Sequence, residues 1–473
     1  MPAPAAVASL LALLAIPIGS AGTMAALSAQ ETPVSLEEAR RMAAEAHPEV
    51  LAAQARAEGA LHQWDASRSY RLPTVGAEFD AVRTDDPVAA FGTRLRQGRF
   101  TEADFAPDRL NSPDPLGDWT AGVGLQWAPF DPAAASAARA AEALAQAAGF
   151  GSEWTTRAAA FRAEIHYLES VGAEARLAAV EASAESAREN LRVMERRMEE
   201  GLATEADLLQ ARAASENARA QVIRAERQIR DARERLALAL GWDRGRIPIP
   251  VDRDLAALSG AHQGSGAPDM DERLVERPDL RASSARLDAS AAQVREARQA
   301  RLPSLEGFAR LGTHAQAPLS SPEANWTVGF RARVPVFTGG ALAHRARAVD
   351  AERVAVEREH HLRIREAEVE LSEAVRALES AREGLDVAGA AARASREAAH
   401  LMRRRYEENL VTAADLVTVE ARAAQDAALE VDAAVHLAMA AARVRFLSGI
   451  PQAHDPASPI LPADASLNLG DTR

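Results

Sequence analysis

Asn325-Trp326-Thr327-Val328-Gly329-Phe330-Arg331-Ala332-Arg333-Val334-Pro335-Val336-Phe337 decides the fold. Side chains of a strand alternate between two faces, so Trp326, Val328, Phe330, Ala332 and Val334 share one face and Thr327, Gly329, Arg331 and Arg333 the other. Asp118 to Phe130 is an earlier copy. There Trp119, Ala121, Val123, Leu125 and Trp127 oppose Thr120, Gly122, Gly124 and Gln126. Each strand is long, starts its apolar face with Trp and carries small or polar residues opposite. That is the pattern of a strand with one face in lipid, an aromatic girdle and a wet second face. A soluble sandwich strand shares the alternation, so the rest of the chain must decide.

The rest is overwhelmingly helical in character. The chain has 473 residues, few aromatics and abundant alanine, which suits long helices packed through small side chains. Cysteine is absent, so there is no disulfide framework, thiol chemistry or lipid-bearing cysteine. All 55 basic residues are arginine, and the net charge of -13 argues against a nucleic-acid partner. Residues 1–29 read as a signal peptide: Val7 to Ile16 is an apolar core, and small residues follow around Ala25 to Ala29. No arginine or lysine precedes that core. Beyond it no uncharged apolar run of about 18 residues occurs, so entry into a membrane would have to be as β-structure.

Ser35-Leu36-Glu37-Glu38 is a capping box that opens a helix, with a break near Pro48 and an end at Arg71-Leu72-Pro73. A strand follows, with Val75, Ala77, Phe79 and Ala81 on one face and Thr74, Gly76, Glu78 and Asp80 on the other. Residues 84 to 117, rich in Asp, Pro, Gly and Arg, read as a long polar loop. After the Trp119 strand, Asp131-Pro132 supplies an N-cap and a first-turn proline. No proline occurs between 133 and 247, so one helix can run to about residue 200, roughly 100 Å at the usual helical rise. Gly201-Leu202 breaks it and a return helix runs from about Thr204 to Leu240. Pro248, Pro250 and the Gly/Ser-rich run near Gly260 to Pro268 read as a linker.

The pattern then repeats. Pro48 and Pro278 are separated by the same interval as Pro73 and Pro303. Trp119 and Trp326 are separated as Phe130 and Phe337 are; Gly201 and Asn409 as Thr204 and Thr412. Markers at constant offsets mean an internal duplication. The chain divides into the signal peptide, a first repeat at 30–250, a linker at 251–268, a second repeat at 269–451 and a tail at 452–473. In the second long helix Leu371, Leu378, Leu385, Ala392 and Ala399 recur every heptad, with Ala374, Ala381 and Ala388 between, which is a coiled-coil seam.

Each chain thus supplies four amphipathic strands, too few to close a barrel, and open strand edges do not survive in lipid. Several chains must share one barrel; two, three or four would give eight, twelve or sixteen strands, and the polar inner faces favour a size that leaves a lumen. Taken together, the duplicated strand–helix–hairpin unit, Arg-Leu-Pro before each first strand, Trp-Thr opening each second strand, Pro129-Phe130 and Pro335-Val336-Phe337 before the long helices, and the turns Gly201-Leu202-Ala203-Thr204-Glu205-Ala206-Asp207 and Asn409-Leu410-Val411-Thr412-Ala413-Ala414-Asp415 resemble the TolC-like outer membrane efflux protein family. The resemblance runs from Ser35 to Pro451. It implies a mainly α protein: a homotrimer with a twelve-stranded transmembrane β-barrel in outer-membrane lipid and a coiled-coil α-helical barrel across the periplasm. It also implies service as the exit duct of a tripartite efflux or type I secretion system, with a periplasmic adaptor protein and an inner-membrane transporter as partners.

The hairpin turns carry the sharpest local signal. Gly201 suits a left-handed helix end and Asn409 is the usual substitute. Leu202 and Leu410 are the accompanying apolar contacts, while Thr204 and Thr412 cap the return helices with Asp207 and Asp415 as capping-box partners. The resemblance adds adaptor binding at Gly201, Leu202, Thr204, Asn409, Leu410 and Thr412. It adds a periplasmic gate of Asp207, Tyr406 and Asp415, with a Tyr406–Asp207 hydrogen bond and a ring of Asp415 carboxylates. A second aspartate ring of the family falls at Thr418 and a gating arginine at Val411, so both are missing here. Trp119, Trp127 and Trp326 read as membrane-interface anchors rather than ligand-stacking residues. His360-His361 face different sides of a helix and make a poor chelate. No G-x-S-x-G, H-E-x-x-H, P-loop or paired-cysteine pattern occurs, so the expectation is a duct, not an enzyme, with no cofactor or metal. The alternative is a periplasmic or surface-anchored coiled-coil structural protein, which would have no need of Trp-flanked strands.

Overall fold

The structure is a computed structural model that describes residues 30–243, 245–260, 276–317, 323–408 and 410–448. The signal peptide, most of the linker, Asn409, Gly449 and the tail lie outside the described residues. In order, β1 is Gln30–Val34, α1 Leu36–Ala46, α2 Pro48–Arg68, β2 Thr74–Thr84, α3 Pro87–Arg96, α4 Pro107–Asn111 and β3 Leu116–Phe130. Next come α5 Pro132–Glu199, α6 Glu205–Ala239, β4 Arg246–Pro250 and α7 Leu255–Gly260. The second half has α8 Pro278–Gln299, β5 Ser304–Ala315, β6 Glu323–Arg333, α9 Ala341–Glu407 and α10 Ala413–Leu447.

The long helices are α5, 68 residues, and α9, 67 residues, each followed by a 35-residue return helix. α5 runs unbroken through Gly149 and Gly151. Its start is fixed by Asp131, whose carboxylate accepts the Ala134 amide at 3.0 Å, with Pro132 in the first turn. α8 packs on both long helices, and α10 on α5 and α9. Alanine dominates the buried seams, and Gly172 of α5 lies so near Val435 of α10 that an added Cβ would overlap it. The end of α6 abuts the start of α2: Gly241, at φ 71°, sits against His47 and Pro48.

Four strands form one antiparallel sheet in the order β2-β3-β5-β6, leaving β2 and β6 as open edges. The register sets Phe79 beside Ala121, Val123 beside Leu311, and Leu311 beside Trp326. The apolar faces expected from alternation therefore merge into one surface. Phe79, Val75, Val328 and Phe330 on it are exposed in the single chain. The β3–β5 register shifts between Trp127 and Phe130, where Pro129 has no amide to donate.

Two expectations are corrected. Residues 84 to 117 are not a structureless loop. Asp86 caps α3, a 3-10 turn spans Glu102–Phe105, and Phe100 stacks edge-on against Phe91 and Phe105 at 4.9 and 5.0 Å. Three spaced aromatics gave this segment a small core of its own. Nor is the Pro248–Pro250 stretch a linker. It is β4, paired in parallel with β1, and α7 follows it. Proline is tolerated because a two-stranded pair leaves each strand one free edge. This pair seats Val34 in the largest apolar cluster with Leu36, Tyr167, Val171, Leu236 and Leu240. The Tyr167 hydroxyl accepts the Asp252 amide at 2.9 Å and donates to the Val34 carbonyl at 3.2 Å, and burial pushes its pKa up to about 12.

Candidate functional site

The two helical hairpins end side by side, and their turns form one tip. Gly201 has φ 73°, and the Leu202 amide donates to the Arg197 carbonyl at 2.7 Å, closing α5. In the second turn the Leu410 amide donates to Arg405 at 2.9 Å. Leu202 and Leu410 are 70% and 67% exposed, so each offers an apolar side chain to whatever meets the tip. The Thr204 hydroxyl donates to Asp207 at 2.6 Å and accepts the Asp207 amide at 3.3 Å; Thr412 and Asp415 repeat this at 2.6 and 3.2 Å. These bonds to the threonine hydroxyl, and then to its amide, hold both carboxyls below the usual carboxylate range.

Tyr406 does not reach Asp207, as the resemblance implied it would. Its hydroxyl lies 3.7 Å from Met194 Sδ, and the ring is buried with Met194, Ala413 and Leu416. Asp207 is turned toward its own cap instead. A different residue joins the hairpins: the Arg197 guanidinium stacks 4.3 Å over the Tyr406 ring and donates to the Tyr406 carbonyl at 3.2 Å. Farther along, Glu420 of α10 accepts from Arg403 at 2.7 Å and from Asn190 of α5. A groove of about 1040 Å³ opens beyond, lined by alanines with Asn190, Gln221 and His400. Thr418 bonds back to the Ala414 carbonyl at 2.7 Å and carries no charge.

At the other end stands the sheet. Trp127 anchors its helix-proximal rim, donating to the Arg71 carbonyl at 3.0 Å, while Trp119 and Trp326 lie toward the opposite rim. From Trp119 to Trp127 is about 27 Å at the strand rise, close to the ~25 Å apolar band of a membrane barrel. The opposite face is wet and charged: Glu78 pairs with Arg310 at 2.6 Å and Glu306 with Arg331 at 3.9 Å.

Residues 39–242 and 270–450 match the model of the family described as outer membrane efflux protein. The chain belongs to the outer membrane efflux protein family. Membership places it at the outer membrane. Over 189 residues it is 31% identical to the pyoverdine export outer membrane protein OpmQ of Pseudomonas putida, which spans 39% of this chain and 39% of that relative. Its fold is similar to the CmeC outer membrane channel of Campylobacter jejuni, with TM-score 0.73 and 19% identity over 88% of this chain and 85% of that one. It is likewise similar to the outer membrane protein VceC of Vibrio cholerae, with TM-score 0.71 and 19% identity over 88% and 96%.

Among the expected tip residues, the described ones all stand at the hairpin ends: Gly201, Leu202, Thr204, Asp207, Leu410, Thr412 and Asp415, with Tyr406 just inside. Arg197 and Glu420 were missed. An arginine in an Arg/Glu-rich helix carries no mark that sets it apart, and only the packing of one hairpin on the other selects it. Among the described residues no helix is long and apolar enough to cross a membrane, and no group of three metal-ligating side chains occurs.

Proposed function

We propose that three copies of this chain form the outer-membrane exit duct of an efflux or type I secretion system, a passive channel opened when an adaptor docks. The observation that carries this reading is the sheet with two open edges. One face is apolar apart from Arg83 and Thr313 near the outer rim, with Trp119, Trp127 and Trp326 toward its two rims, and the other is wet. In lipid the β6 edge of one copy must pair with the β2 edge of the next, because no water is present to satisfy it. Three copies give twelve strands with room for a lumen. The long helices then continue the tube for roughly 100 Å at the helical rise.

The tip is where a periplasmic adaptor protein and, behind it, an inner-membrane transporter are expected. Gly201, Leu202, Thr204, Leu410 and Thr412, with Asn409, make the docking surface. Tyr406 with Arg197 holds the hairpins together, and Asp415 from three copies surrounds the axis, where hydrated cations gather. Photo-crosslinking from Leu202 and from Leu410 in living cells tests the reading. The expected product is a periplasmic adaptor protein; crosslinks confined to copies of this chain would overturn it. Asp415→Ala in an assembled channel should weaken block by divalent cations applied from the periplasmic side.

A further inference from the structure

The segment between β2 and β3 leaves the sheet at the rim far from the long helices, where Thr84 and Leu116 still pair. It then folds back. The Gln97 amide donates to the Gly117 carbonyl at 2.9 Å and to Asp118 Oδ1 at 3.0 Å, while Asp118 Oδ2 lies 2.9 Å from His314 Nδ1. Arg99 bonds Gln316, and Gly98, at φ 63°, lies against Glu323, whose Cγ would be 3.1 Å from an added Cβ. The turn Gln97–Arg99 therefore reaches the rim ends of β3 and β6 and Gln316, just past the end of β5.

The face it meets follows from alternation. Asp118 shares a face with Thr120 and Gly122, His314 with Gly312 and Arg310, and Glu323 with Thr327 and Arg331. All three belong to the polar face. Asp118 and His314 are each only 9% exposed, whereas Glu78 and Arg310, lower on that face, are open. A segment standing away from the rim would leave Asp118 and His314 wet. The segment is also built to hold its shape. Asp86 Oδ1 accepts the Ala89 amide at 2.7 Å, Arg94 pairs with Asp104, and the Thr101 amide and hydroxyl bond Asp104 at 2.9 Å each and hold its carboxyl low. Its attachment is less complete: Gln97 Oε1 is buried with no partner among the described residues, which lowers the cost of release.

We propose that residues 85–115 are an inward-folded lid that narrows the outer mouth and screens solutes entering from outside by size, with Gln97 and Arg99 as its latch. This rests on the reading of the polar face as a lumen. It is distinct from the helical tip, because the lid and the tip lie at opposite ends of the molecule.

The test exploits a chain without native cysteine. Gly76 is on the polar face, below the lid, and an added Cβ there meets nothing within 4 Å. Gly76→Cys is labelled in intact cells with a small charged methanethiosulfonate and with a maleimide on a kilodalton-scale polymer. The comparison is with the same variant carrying Gln97→Ala and Arg99→Ala, and with one whose residues 87–113 are replaced by a short Gly/Ser turn. The small reagent should label all three at similar rates. If the latch holds the open state to about a tenth of the population, the polymer should label the latch variant about tenfold faster. Equal polymer rates in the parent and the latch variant would overturn the lid. Failure of the small reagent to label before lysis would instead overturn the lumen reading, and the lid with it. The latch variant leaves the lid's own core intact, so the test stands even if the shortened chain fails to assemble.

Discussion

Glu78 of β2 and Arg310 of β5 meet at 2.6 Å across the strand that lies between them. Their register partners on β3 are Gly122 and Gly124, whose lack of side chains leaves the path open. The pair is a polar-face staple that ties three strands at once. Both side chains are more than half exposed, so a double-mutant cycle with Glu78→Gln and Arg310→Gln should give a coupling of about 0.2–1 kcal/mol, shrinking as salt rises. In a Gly124→Val background the coupling should vanish, because a branched side chain then stands between the partners.

At the tip, Tyr406→Phe should leave single-channel conductance near that of the parent. Among the described residues the hydroxyl meets only a thioether, and the ring keeps its place under Arg197. Tyr406→Ala and Arg197→Ala should each raise conductance by loosening the join between the hairpins. A large rise in Tyr406→Phe would show that the hydroxyl itself holds the assembled tip shut.

The caps predict a pH dependence. Asp207 and Asp415 have lowered folded-state values, so their stabilisation is present above the unfolded carboxylate value of about 3.9 and is lost as pH falls through the folded one. The difference in melting temperature between the parent and Asp415→Asn should be full at neutral pH and close below about pH 3.9. Thr412→Ala, which removes the acceptor of the Asp415 amide, should cost about 1 kcal/mol.

Gly172→Ala should destabilise by about 1–3 kcal/mol, since α5 and α10 have no room for a methyl beside Val435. Val435→Ala in the same chain should restore most of the loss. Thermal melts of the single and double variants decide.

Periodicity made most of this architecture legible in the sequence. The strand faces around Trp119 and Trp326, the proline-free run behind α5, and the repeated Gly201/Thr204 and Leu410/Thr412 turns each obey a local rule. What escaped depends on contacts between distant segments. β4 escaped because Pro248 and Pro250 speak against a strand and only β1, far away in sequence, makes it one. The segment after β2 escaped because polar composition hid the meeting of Phe91, Phe100 and Phe105. The Tyr406–Asp207 link escaped because only the packing of one hairpin on the other turns Tyr406 inward against Met194, Ala413 and Leu416, while Asp207 faces its own Thr204 cap.

The central claim is that the β2 and β6 edges are closed by other copies of the chain. Native mass measurement of the protein extracted in mild detergent tests it most directly. The account predicts three chains per particle, stable only while detergent or lipid covers the face that carries Phe79, Val328 and Phe330. A stable monomer in plain buffer would contradict it.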